Sequence, residues 1–171
     1  MRIFTKTIFL SASILCFLVA FNITAADEWP DPPAVAAILA DEGISQELNS
    51  EWDNSRASDR NDRHEEGGWI IECRAWNPST EEYEFTLVVR SVPAGRADGL
   101  TPGTPPNEGE NCRAVGFKHT HPNPPTDENG NRWDQGPSEA DKSWHERHKI
   151  PGIIVNAAGT ATTGPDSGTY E

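Results

Sequence analysis

The sequence predicts an α+β domain in which helices pack on a mostly antiparallel sheet. Three observations carry this. Short runs rich in β-branched and aromatic residues, bounded by Gly, Pro and Asn, lie at 68–76, 83–92, 112–121 and 151–158. Two other stretches, 34–52 and 137–148, carry the spacing or the start signals of helices. Their order of helix, hairpin, strand, helix, strand is not the regular alternation of a doubly wound parallel sheet.

Residues 1–26 read as a targeting segment rather than as part of the fold. Arg2 and Lys6 make a basic start, 8–21 is an almost unbroken apolar run, and Thr24-Ala25-Ala26 is a small-residue cleavage site. The run is short for a membrane span, and Asp27 follows at once. Cys16 follows Ser-Ile-Leu, a poor lipidation signal. The expectation is a signal peptide and an exported mature chain, periplasmic or secreted, with no membrane contact after cleavage.

A helical segment and linker is expected over 27–64. Trp29-Pro30-Asp31-Pro32-Pro33 is a stiff entry, and Val35, Ile38, Leu39, Ile44, Leu48 and Trp52 then recur at helical spacing. Gly43 weakens the middle, so two short helices fit as well as one. The Asp, Arg, Ser and Asn of 54–66 read as a solvated connection.

The main domain is expected over 65–171. Gly68 opens a strand, Asn77-Pro78-Ser79-Thr80 turns the chain, and 83–92 returns as the hairpin partner. Residues 93–111 hold several glycines and prolines and no periodicity, which makes a long loop. The strand at 112–121, a second loop at 122–136 and a helix at 137–148 follow. Pro137 stands at the expected first helical position, with Ser138, Glu139 and Asp141 in the first turn. A strand at 151–158 comes next, and a glycine turn at Gly159 leads to a last short strand at 160–163.

Composition excludes one class of partner. The 171-residue chain has a net charge of -13, and losing Arg2 and Lys6 with the first 26 residues leaves -15. So acidic a domain repels nucleic acid and anionic membranes, and it would steer a basic partner toward itself. Of three cysteines, Cys73 and Cys112 remain in the mature chain. With no CxxC-type spacing for a metal, and in an oxidising compartment, they are expected to form a disulfide.

The chemistry concentrates between Phe117 and Asn156. Alternate strand residues share a side, so Val115, Phe117, His119 and His121 are expected on one face, with the imidazoles at its open end. Ser138 and Asp141 share a helix face. His119, His121 and Asp141 then make a three-ligand site with room for a water, as catalytic zinc requires. Asp127-Glu128-Asn129-Gly130-Asn131 lacks the glycine position and the closing glutamate of a calcium loop. It is expected instead to border a cleft, with Trp133 as a substrate contact.

His119-x-His121-Pro122 followed by Ser138-x-x-Asp141 resembles the signature of the JAB/MPN metalloproteases in their JAMM form. The spacer between the two halves is longer than in the eukaryotic deubiquitinases of that family, and is more similar to secreted bacterial JAB-like domains. The resemblance spans about residues 65–163. It implies a JAB/MPN fold with cytidine-deaminase-like layering, bound Zn2+, and hydrolysis of a peptide or isopeptide amide in a peptide or protein substrate. It also implies a general base in a Glu-x-x-Gly pattern before a strand. His64-Glu65-Glu66-Gly67-Gly68-Trp69 puts Glu65 at that place, with Glu66 one residue off as the alternative. By the resemblance, Glu65 takes the proton of the zinc water and Ser138 donates to the oxyanion. Ser138 as an ordinary helix N-cap stands beside that reading.

His145 is expected at the surface, with a role near the metal as the alternative, and His64 and His148 at the surface. Trp144 is expected against the sheet. A rival for the whole chain is a JAB-fold module that binds or inhibits without catalysis. A second rival, another zinc hydrolase chemistry such as deamination, fits poorly, since no H-x-E with P-C-x-x-C occurs.

Overall fold

The sheet begins where the chain turns from charged to apolar. The computed structural model describes residues 29–165; the expected signal peptide at 1–26 and the tail from 166 lie outside the described residues. Strand β1 (Gly67–Asn77) and β2 (Glu82–Ser91) form the expected antiparallel hairpin, paired from Gly68↔Ser91 to Asn77↔Glu82. Strand β3 (Cys112–Thr120) lies on the other side of β1, also antiparallel. Strand β4 (Gly152–Asn156) runs parallel to β3, and β5 (Gly159–Thr163) closes the order β2-β1-β3-β4-β5. The one parallel pairing needs a crossover, which α3 (Glu139–His148) supplies. All five residues of β4 are buried, the continuous apolar run of a parallel strand covered on both faces.

The leading helical stretch is two helices, α1 (Val35–Ala40) and α2 (Glu42–Asn54). The break falls at Asp41 rather than at Gly43. Asp41 takes an extended backbone, and its carboxylate accepts from Ile44 N at 2.9 Å, an N-cap that starts α2 afresh. The unit Pro32–Glu171 holds these helices together with the sheet.

One irregularity changes the expected face pattern. Ile70 pairs with Gly116, but Ile71 pairs with Ala114, so Val115 is an extra residue in β3. Such a bulge shifts the alternation by one. Cys112 and Ala114 therefore face the same side as Phe117, while Val115 points the other way, into the core beneath α1 and α2. The expectation that Val115 shares a face with Phe117 and His119 is overturned by this bulge.

The sheet thus separates two cores. On one face Val35, Ile38, Ile44 and Leu48 from the helices meet Ile70, Val115, Ile153 and Val155. On the other, Trp69, Ile71 and Phe117 pack with Trp144 of α3 and with Leu100 from the long loop. Trp69, Phe117 and Trp144 form an aromatic triangle with centroids 5.1 to 5.8 Å apart.

Lys118 interrupts this apolar scheme. It is 0 % exposed, and its ammonium meets Glu51 of α2, itself 5 % exposed. Burial raises the Glu51 pKa, and the neighbouring Lys118 charge opposes that without cancelling it. A pair of this kind is weak evidence for stability, yet losing one partner strands the other charge. Glu51→Ala is therefore expected to cost about 3–5 kcal/mol in denaturant unfolding, whereas Glu51→Leu with Lys118→Met costs little or stabilises. A single variant as stable as the wild type would contradict the pairing.

Candidate functional site

The bulge sets the phase that brings His119 out on the α3 face. His121 lies one residue beyond β3 and stays in the ladder, its N–H donating to Val155 O at 2.8 Å. The two rings meet at their Nε2 atoms, 3.1 Å apart. At that separation at most one nitrogen carries a proton on the shared line.

Helix α3 supplies the carboxylate. Ser138 is its N-cap, in an extended conformation, and Asp141 is the third helical residue of a capping box. The Asp141 N–H donates to Ser138 Oγ at 3.1 Å. Asp141 Oδ2 accepts from Ser138 N at 2.7 Å and from its hydroxyl at 2.6 Å. Pro137 thus precedes the cap, two places before the first helical position expected of it. Asp141 Oδ1 lies 3.4 Å from His119 Nε2, and Oδ2 lies 3.5 Å from His121 Nε2. Donor atoms of His119, His121 and Asp141 all fall within 4.8 Å of one another, so this group could hold a metal ion.

The charges confirm how tightly these groups are coupled. Burial pushes the Asp141 carboxyl up, but both imidazoles and the Ser138 hydroxyl outweigh it and hold it far below the ordinary range. Burial pulls His121 down, yet Asp141 and the Glu65 charge raise it overall. Burial lifts Glu65 to about 7; His121 works against that, while Asp141 and Asp98 reinforce it.

The expected site residues line one cavity of about 450 Å³: Glu65, His119, His121, Trp133, Ser138 and Asp141. Glu65 shares the strand phase of Gly67 and Trp69, and it is pinned by Glu65 N to Arg96 O at 2.9 Å and Gly95 N to Glu65 O at 2.8 Å. Glu66 faces elsewhere, its carboxylate 2.9 Å from His64 Nε2, and it does not line the cavity. Gly67 is a steric requirement here: a Cβ would sit 2.5 Å from Leu100 Cδ2 and 2.7 Å from Lys118 O.

Trp133 is held at the wall by Asp127, which accepts its indole N–H at 3.0 Å. Asp127 also accepts from Asn129 N and from the main chain and side chain of Asn131, each at 2.9 Å. Its oxygens are filled from within the loop. Hydrogen bonding, from Asn131 first, holds its pKa at about 2.

His145 is not at the surface. It is 1 % exposed, its ring packs on Trp144, and Nδ1 donates to Ile150 O at 2.9 Å. Burial takes its pKa down to about 4. It lines the cavity without joining the three-residue group. His148 is exposed and stacks on Trp144 at 4.2 Å. The 93–111 loop, which sequence reasoning placed as a candidate cover of the cleft, supplies a wall at Ala97, Asp98, Leu100 and Pro102, residues that reasoning did not single out. No periodicity marks that stretch, and only the apolar Leu100 and Pro102 within a polar loop hinted at packing.

Cys73 and Cys112 form a disulfide between directly paired positions of β1 and β3. The bridge sits at the opposite end of β3 from His119, away from the site. Closing the 39-residue separation restricts the unfolded chain by about 4 kcal/mol. Among the described residues no helix is long and apolar enough to cross a membrane.

Compared with protein-family models, curated proteins and solved structures, the chain matches none.

Gly152 gives His145 its place, since a Cβ there would lie 2.3 Å from His145 Nε2. Gly152→Ala is expected to displace that ring and to lower stability by about 1–3 kcal/mol. Thermal unfolding would measure it; a variant that melts with the wild type would refute this packing.

Proposed function

We propose that the protein is an exported zinc hydrolase of the JAB/MPN type that cleaves a peptide or isopeptide amide. The observation that carries the reading is the convergence of His119 Nε2, His121 Nε2 and the Asp141 carboxylate, whose single ligand atoms all lie within 4.8 Å of one another. The two Nε2 atoms are 3.1 Å apart, and the carboxylate meets each ring through a different oxygen, Oδ1 at 3.4 Å from His119 and Oδ2 at 3.5 Å from His121. These distances are close to the edge of about 3.3 Å for a tetrahedron with bonds of about 2.0 Å to zinc. Two imidazoles and one carboxylate suit zinc rather than magnesium or calcium, which take all-oxygen sets. Export is supported by the disulfide and by the signal-like start of the sequence.

A zinc ion so held supplies Lewis acidity and draws the pKa of a water it polarises toward about 7. The residues around it divide the rest. Glu65, with a pKa of about 7 from burial, is matched to taking a proton from the attacking water and giving it to the leaving amine near neutrality. Ser138 gives its hydroxyl to Asp141 Oδ2, which leaves Oδ1 toward His119. Its service to an oxyanion would need that hydroxyl to turn. Leu100, Phe117, Trp144 and Trp133 in the cavity lining offer apolar contact to the chain being cut.

Glu65→Gln is expected to bind about one zinc per chain and to melt normally while losing at least about 100-fold in turnover of a fluorogenic peptide-amide library. Normal cleavage by that variant removes Glu65 from the reaction. Should the wild-type chain bind zinc and cleave nothing, a binding or inhibitory module becomes the better account.

The pH dependence of metal binding has a definite sign. The His121 pKa is raised above its ordinary 6.5, so the proton competes with metal to a higher pH than usual. Zinc affinity should fall on acidification, about tenfold per pH unit for each proton displaced. Titrations between about pH 5 and 8 that gave a flat profile would argue against imidazole ligation.

A further inference from the structure

We propose that Asp98 is a specificity-determining residue, which makes the cavity prefer substrates that carry an ammonium or guanidinium group close to the scissile amide. The inference rests on the hydrolase reading and names the class of substrate for that same site. Asp98 lines the cavity from the 93–111 loop, yet its placement is fixed. Arg96 and Gly99 pair as an antiparallel bridge, with Arg96 N donating to Gly99 O at 2.9 Å, so Ala97 and Asp98 form a two-residue turn. The base of the turn is bonded to both main-chain groups of Glu65. Glu65 N donates to Arg96 O at 2.9 Å, and Gly95 N donates to Glu65 O at 2.8 Å. Gly95 lets the limbs close, since a Cβ there would lie 2.3 Å from Gly99 O. At the tip Asn123 Nδ2 donates to Ala97 O, and just past the turn Leu100 packs against the cluster of Trp69, Ile71 and Phe117. Asp98 is thus presented by a turn built on the backbone of the proposed base.

The charge of Asp98 is felt inside the cavity. Burial is the main reason that the Glu65 pKa is raised, and Asp141 and Asp98 add to it against His121. Beyond the metal group, Glu65 and the buried His145, the charged side chains of the lining are Asp98, Asp134 and Arg132, two acids against one base. Asp134 lies within electrostatic reach of Lys142 on α3, whereas Asp98 lies within reach of Glu65. Among the described residues the Asp98 carboxylate has one ion pair, with Arg96 Nε at 3.1 Å and Nη2 at 2.9 Å, both on Oδ1. The Arg96 side chain is 82 % exposed, and an exposed pair of this kind contributes little. A substrate cation can therefore take the place of Arg96. Leu100 and Pro102, in the same wall, suit the methylene stem behind a lysine or arginine head. The net charge of -13 draws such substrates toward the chain.

The test uses the zinc-loaded mature protein and peptide amides blocked at both ends, with lysine, norleucine or glutamate beside the cleaved bond. A norleucine peptide with a free amino terminus joins them, because a chain end offers the same ammonium as a lysine side chain. The wild type is expected to show a kcat/KM about tenfold or more higher for lysine than for norleucine, the effect of one ion pair near a protein surface. The same advantage for the free terminus over its blocked twin would place the ammonium on the chain end and also supports the inference. Asp98→Asn brings the ratio close to one and Asp98→Lys favours glutamate, with zinc content and melting temperature unchanged. Arg96→Ala removes the competing cation and raises the ratio. Ratios cancel any effect of Asp98 on Glu65, which all substrates share. A wild type that prefers neither ammonium overturns the inference and leaves the hydrolase reading standing. So does a preference that persists in Asp98→Asn, or a loss in that variant shared equally by the neutral blocked peptide. Should both Asp98 variants fail to fold, an Arg96→Ala ratio no higher than that of the wild type overturns it. A wild type that holds zinc and cleaves none of the peptides overturns both.

Discussion

The site depends on a single extra residue in a strand. Val115 puts an odd step into β3, and everything downstream changes face. Counted from Cys112 without the bulge, His119 would stand beneath α2 and Lys118 would look into the cavity. With it, the disulfide, Phe117 and His119 all belong to the α3 side, and Lys118 goes to Glu51. Adjacent residues of one strand thus bind opposite layers, one through a buried ion pair and the other through a shared carboxylate.

The electrostatics repeat this division. Beneath α2, opposite charges share a dry space, and burial still raises Glu51. Across the sheet, Asp141 is surrounded by donors and held ionised, while Glu65, a neighbour in the same cavity, is pushed up to about 7. Two carboxyls whose environments drive their proton affinities apart are suited to two different tasks, one a fixed ligand and one a proton carrier. The distinction comes from hydrogen-bond donors, which Asp141 gets first from the two imidazoles and then from its own helix start at Ser138.

Much of this was legible in the sequence, for local reasons. The hairpin, the strand carrying the histidines and the helix beginning at Ser138 follow from alternation, turn residues and capping chemistry, which act over a few positions. Only the resemblance sets Glu65 ahead of Glu66, which stands in the sequence as the alternative; the strand phase of Glu65 relative to Trp69 is what the structure adds. What was not legible depends on partners distant in the chain. Valine is at home on either face of a sheet, so Val115 gave no sign of a bulge. His145 read as a surface residue, and nothing marked Lys118 as buried, because their partners, the Ile150 carbonyl and Glu51, cannot be named from spacing. The room for His145 comes from Gly152 on another element. The amide of Asn123 looks like that of an ordinary loop residue until its carbonyl partner appears.

The disulfide has a consequence for what a cut in the chain would do. Cys73 and Cys112 bracket β2 and the whole Pro- and Gly-rich 93–111 loop, the most open part of the described chain. A nick anywhere in that loop leaves both fragments covalently joined, with β1 and β3 still side by side. The loop can therefore change in length or suffer cutting without releasing the strand that carries the histidines. The bridge acts less as a brace for the site than as insurance against losing half of the protein.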